Sequence, residues 1–201
     1  MSKNLIASLA IFILLYGQSA TAQPTIGFGI KAGGNLSTII GSDAEKASGL
    51  AGGYAGGIAR FSWSNDDGIV TFVIQPELFY SMQGAKIEES FTSRFSYVNF
   101  AAMIQRHIGG SGFYLETGPQ VGFLISAKTK GPGIASADIK DAMKPIDFSL
   151  LAGVGYKFLN GIGIHARYGL GVTSIDKEGY DVHNAVISAG LFYVFGGLRE
   201  D

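Results

Sequence analysis

Ten ionisable side chains, Lys31, Arg60, Glu77, His107, Glu116, Lys128, Asp147, Lys157, His165 and Arg167, fall on the polar side of segments that alternate with apolar residues. Two carboxylate–imidazole combinations among them, Asp147 with His165 and Glu116 with His107, have the residue types of a general acid–base pair. Neither comes with a nucleophile at a telling distance in the sequence. The three histidines lack the close spacing of zinc ligands, and no cysteine exists to complete such a site. No catalytic, cofactor-binding or metal residue is therefore expected. The more economical reading is a polar network in which Lys31, Arg60, Glu77, His107, Glu116, Asp147, Lys157, His165 and Arg167 satisfy one another, because an unpaired buried charge is costly. The string Gly27-Phe28-Gly29-Ile30-Lys31-Ala32 imitates a dinucleotide fingerprint, but it lies in a strand pattern with no helix after it to receive a phosphate.

Side chains placed in this way need elements of period two. In residues 113–128, Phe113, Leu115, Thr117, Pro119, Val121, Phe123 and Ile125 form one face, while Tyr114, Glu116, Gly118, Gln120, Gly122, Leu124, Ser126 and Lys128 form the other. The same division recurs in residues 26–31, 70–81, 95–108, 146–158, 162–173 and 184–195. Residues 50–61 are so rich in Gly and Ala that only an inward Arg60 orients them. That makes eight strands, several near the roughly 9–11 residues a membrane-spanning strand requires. Connections at residues 62–68, 109–112 and 159–161 are short, and Asn160-Gly161 is a hairpin signal. Those at 38–49, 83–94, 129–145 and 176–183 are longer and polar. Short turns on one rim and long loops on the other are the asymmetry of an outer-membrane barrel, with turns and termini periplasmic. Phe61, Trp63, Phe72, Phe113, Tyr156, Phe158, Tyr193 and Phe195 gather toward the turn rim, as an interfacial girdle would.

The expected fold is therefore all-β: an eight-stranded antiparallel up-and-down transmembrane β-barrel over residues 23–201, preceded by a signal peptide at 1–22. Lys3, an apolar run over residues 5–15 and the small-x-small site Ala20-Thr21-Ala22 carry that leader. The chain of 201 residues suits one domain. Its 15 basic and 16 acidic residues give a net charge of -1, which argues against nucleic acid as a partner. The 30 glycines, about double the usual share of roughly 7%, follow no collagen-like period and mark close packing within strands.

Pro76-Glu77-Leu78-Phe79-Tyr80-Ser81 with Gly84, the run from Phe113-Tyr114-Leu115-Glu116-Thr117-Gly118-Pro119 to Leu124, and Gly153-Val154-Gly155-Tyr156-Lys157-Phe158 with Gly163-Ile164-His165-Ala166-Arg167-Tyr168 resemble the PorT-like outer-membrane β-barrel family. The resemblance spans nearly the whole mature chain and implies an eight-stranded barrel in a Gram-negative outer membrane. Its named member is linked to secretion and gliding. Tyr97-Val98-Asn99-Phe100-Ala101 departs from a Tyr-Leu-Glu-Ile-Pro-like start, and residues 196–201 follow the terminal aromatic; the secretion role is not carried over.

On these grounds the chain reads as a non-enzymatic barrel of structural or loop-mediated type with a closed polar lumen. Its expected partners are outer-membrane lipids, the barrel assembly machinery through Leu191, Tyr193 and Phe195, and an extracellular partner at the loops. Two rivals stay open. An outer-membrane enzyme would gather acidic and His residues at the outer rim. A soluble periplasmic ligand-binding barrel would turn its apolar face inward.

Overall fold

Alternation of apolar with polar or small residues dictates extended chain throughout, and the computed structural model describes residues 23–42, 44, 47–87 and 91–195. The expected leader at 1–22 and the tail at 196–201 lie outside the described residues. Nine strands occur among those described: β1 (Thr25–Ile40), β2 (Ala47–Ser64), β3 (Val70–Ile87), β4 (Phe91–His107), β5 (Phe113–Gly131), β6 (Ile134–Asp138), β7 (Ile146–Lys157), β8 (Ile162–Gly171) and β9 (His183–Phe195). Eight of them close a ring of antiparallel neighbours in the order β1-β2-β3-β4-β5-β7-β8-β9, and β9 returns to pair with β1 from Phe28↔Phe195 to Ile40↔His183. The short β6 folds back on the end of β5. No sheet edge in the ring is left to find a partner, the condition a bilayer imposes on strands.

Facing follows from burial. Phe28 is 64% exposed and Lys31 only 4%, and the same division holds on the other ring strands. The outward face is apolar, while the inward face carries the charged and polar side chains together with packed apolar ones such as Phe79, Tyr114 and Phe192; a soluble barrel that holds an apolar ligand would turn its polar face outward. Burial of Tyr54, Ile58 and Arg60 also settles β2, whose Arg60 faces inward. At one end, hereafter the turn end, the chain reverses through tight hairpins. Gly68 and Gly161 adopt φ of +77° and +84° there, the left-handed backbone that glycine enters without steric cost. Trp63 stacks obliquely on Phe72 at 5.6 Å, Tyr156 on Phe158 at 4.9 Å, and Tyr193 meets Phe195 edge-on at 5.4 Å. These outward rings form a belt at the turn end.

Bare backbone explains the glycine content. A Cβ on Gly163 would strike the ring of Phe192, and one on Gly155 the ring of Tyr114. The interior of an eight-stranded barrel is just wide enough to be filled by side chains, so a large inward ring lies over glycine at the directly paired position of the neighbouring strand, as in Gly163↔Phe192 and Tyr114↔Gly155.

The opposite, loop end departs from the sequence reading in three ways. First, β2 to β5 are 17–19 residues long. Of residues 83–94, expected as a loop, 83–87 continue β3 and 91–94 begin β4, paired as far as Ile87↔Phe91. Second, residues 129–145 are not simply solvated: Thr129 pairs with Ala137, and a 3₁₀ turn spans Lys140–Ala142. Ile139 and Met143 then pack with Ile39 and Val182 against buried Phe95, Tyr97, Leu124, Ala127 and Ile175, covering the barrel mouth with an apolar cap. Third, Lys128, expected inside, is exposed while Ala127 is buried. The ladder passes from Ser96↔Ser126 to Tyr97↔Leu124, which leaves Ile125 as an extra residue on β5. Such a bulge turns every later side chain to the other face.

Candidate functional site

Three inward strands supply the centre of the lumen. Glu77 stands on β3, Glu116 on β5 and Arg167 on β8, each nearly fully buried. The guanidinium of Arg167 donates from both terminal nitrogens to Glu77, at 2.7 and 2.8 Å. It also donates from Nε and one terminal nitrogen to Glu116, at 2.6 and 3.0 Å. Lys31 of β1 adds its ammonium to Glu77 Oε2 at 2.6 Å, with the Phe79 ring centroid 4.1 Å from Nζ. Two carboxylates thus meet two cations, and the core of the network is neutral. This balance permits burial, because each charge is both paired and hydrogen-bonded.

Neutral side chains occupy the remaining hydrogen-bonding positions. Gln75 donates to Glu77 at 2.7 Å and Gln105 to Glu116 at 3.0 Å. Their carbonyl oxygens accept from Arg60, at 3.3 and 2.9 Å respectively. Arg60 also lies 2.9 Å from His107 Nε2. Tyr54 hydroxyl and His165 Nε2 are 2.7 Å apart. The network therefore runs from mid-lumen to the turn end, where Arg60, His107 and Lys157 line a vestibule of about 790 Å³.

The structure distributes the sequence candidates unevenly. Lys31, Glu77, Glu116, His165 and Arg167 come together, and Arg60 and His107 join them through the glutamines. Half-buried Lys157 stands at the vestibule beside Arg60 and His107. Asp147 belongs to a second group toward the loop end, where it accepts from Asn184 at 2.9 Å, Thr173 at 3.2 Å and Ser149 at 3.4 Å. A small cavity of about 40 Å³, lined in part by Lys31, Arg167, Ser149 and Asn184, lies in the lumen. Neither acid–base combination considered from the sequence is formed. His107 bonds to Arg60, and the carboxylate nearest His165 is that of Glu116, with Nδ1 3.8 Å from Oε1 and beyond hydrogen-bond reach.

Sequence reasoning counted charges and so passed over Gln75, Gln105, Tyr54 and Asn184. Gln75 and Gln105 were findable: each precedes a charged candidate, Glu77 or His107, by two residues on the same face. It also passed over Asp181 in the β8–β9 connection, which accepts from His183 Nε2 at 2.8 Å and from the Ser42 amide and hydroxyl, both at 3.3 Å. The hydrogen bond from His183, reinforced by those from Ser42, holds this carboxyl below its usual range. Serine and histidine both address the aspartate here, so imidazole is not placed to take the serine proton, as a hydrolytic triad demands. Among the described residues no group of His, Cys, Asp or Glu is arranged to hold a metal ion.

A family model described as outer membrane protein beta-barrel domain matches residues 18–177. No curated protein matches the chain significantly. Among solved structures the chain is similar to Neisserial surface protein A, NspA, at 14% identity over 83% of this chain and 96% of that one, with a TM-score of 0.58. It is also similar to Ail, the attachment invasion locus protein of Yersinia pestis, at 17% identity over 84% and 98%, with a TM-score of 0.52. At such identities the likeness bears on the fold.

Proposed function

The chain belongs to the outer membrane protein beta-barrel domain family, and from that premise we propose a closed, non-enzymatic barrel that displays its loop end outside the cell. The observation that carries this reading is the neutral quartet of Lys31, Glu77, Glu116 and Arg167 across the lumen. Groups so tightly engaged leave no continuous aqueous path for ions. The apolar cap over the loop end supports the same conclusion. What the molecule offers to other molecules is then its outer surface and its loops. Outer-membrane lipids meet the apolar face, and an extracellular partner meets the loops, which is where binding residues concentrate on rigid scaffolds. Outward Leu191, Tyr193 and Phe195 on β9 serve the barrel assembly machinery as its recognition signal, after export directed by the leader. The narrower PorT-like grouping rests on the strand motifs and brings no secretion role with it.

Two measurements test the reading. Purified protein in planar bilayers should show no large, stable conductance; porin-like steps overturn the closed lumen. An epitope inserted near Pro132 should be labelled on intact cells, and one near Asn160 only after permeabilisation. The opposite accessibility reverses the orientation.

A further inference from the structure

Outward positions of β3 from Phe72 through Ile74, Pro76, Leu78 and Tyr80 to Met82 carry no charge. At about 3.4 Å per residue and a tilt near 40°, that stretch climbs roughly 26 Å, the height of the apolar band of a membrane barrel. Beyond Met82 the same row continues through Gly84, which is itself buried, to exposed Lys86. On β4 the corresponding rows hold Arg94 and Thr92, and on β5, past the bulge, Lys128 and Lys130. Register makes two adjacent rows, Gly84–Arg94–Lys128 and Lys86–Thr92–Lys130, with Asp138 of β6 opposite Lys128.

Among the described residues these rows hold four exposed cations and one carboxylate, a surplus of three positive charges on the strands themselves; Glu88 and Glu89 of the β3–β4 connection lie outside the described residues and are not in this count. Arg94 and Lys128 are directly opposed in the ladder, an arrangement that like charges make unfavourable. An anion between them removes that penalty. The cluster begins one or two rows beyond the apolar band, at the level where lipid headgroups lie.

We propose that this face of β3, β4 and β5 binds the phosphate groups of an anionic glycolipid in the outer leaflet. The proposal rests on the loop end facing outward, as argued above. Arg94 forks onto a phosphate in the manner that planar guanidinium favours, Lys86, Lys128 and Lys130 add charge around it, and the acyl chains run down over Met82, Tyr80, Phe123 and Ile125. The β5 bulge is what makes the site, since without it Lys128 would point into the lumen and Arg94 would lose its neighbour.

The test is a titration of full-length mature barrel, in zwitterionic detergent micelles, with purified lipopolysaccharide, the same material dephosphorylated, and inorganic phosphate. Wild-type protein should bind lipopolysaccharide saturably, with the dephosphorylated form much weaker. Removing one cation should weaken binding about fivefold, so Arg94→Gln should do so. Arg106→Gln, an outward arginine at the turn end, should not. The combined Lys86→Gln, Arg94→Gln, Lys128→Gln and Lys130→Gln variant should lose roughly two to three orders of magnitude while keeping its heat-modifiable gel mobility. If that combined variant misfolds, the Arg94→Gln and Arg106→Gln comparison decides alone. Equal losses at Arg94 and Arg106, unchanged binding in the folded combined variant, or inorganic phosphate bound as tightly as the glycolipid each overturns the site. Binding in micelles does not depend on orientation, so failure here leaves the exposure of the loop end standing, and failure of the epitope experiment is seen separately.

Discussion

At the residue scale, the quartet makes unequal demands on its members. Arg167 serves both carboxylates, whereas Lys31 serves Glu77, which keeps two bonds from Arg167 in its absence. Removing one partner of a buried pair typically costs about 3–5 kcal/mol, because the other charge is stranded. Arg167→Met should therefore lower the stability of the folded barrel by about that much, read from urea unfolding in lipid vesicles, and Lys31→Met by clearly less. Equal losses in the two variants count against the shared role of Arg167. Which residues enter the lumen was legible from alternation alone. Which of them meet was not: Glu77 and Arg167 are 90 residues apart in sequence, and their contact depends on how far each strand is staggered around the ring. Alternation carries no information about stagger. Hence Asp147 with His165 and Glu116 with His107 looked as plausible as the contacts that form.

At the scale of elements, the bulge in β5 makes a prediction that uses the absence of native cysteine. Single cysteines at Lys128 and Ala127 should differ in labelling by a charged maleimide, fast at position 128 and slow at 127. An unbroken strand gives the reverse order. The sequence displayed the strands wherever one face met lipid, since only there is alternation between apolar and polar sharp. Beyond the apolar band both faces tolerate polar residues, the period fades, and the upper parts of β3 and β4 read as loop. The bulge is invisible for a related reason: Leu124, Ile125 and Ala127 are all apolar enough for either face. Turns were plain, because Asn-Gly and Asp-Gly pairs name their own geometry.

At the scale of the molecule, the wall is uneven: β2 to β5 have 17–19 residues, while β7, β8 and β9 have 12, 10 and 13. The cap uses this difference, since Ile175 and Val182 from the short side pack against β4 and β5 on the tall side. Closure itself depends on β9, which is bonded to β8 on one flank and to β1 on the other. A chain lacking residues 196–201 should still fold. One that also lacks Tyr193, Val194 and Phe195 should stay open, keeping a single gel mobility before and after boiling and remaining sensitive to protease; compact, heat-modifiable folding of that shorter chain contradicts the seam. The joint between Phe28 and Phe195 has a further consequence in time. Contacts between residues so distant in sequence form slowly, and this one has no substitute earlier in the chain. No growing polypeptide can rehearse the finished ring: until its last strand has been made, every prefix has two open edges and an apolar surface with nowhere to go. Closure of the ring can therefore begin only once β9 has been made.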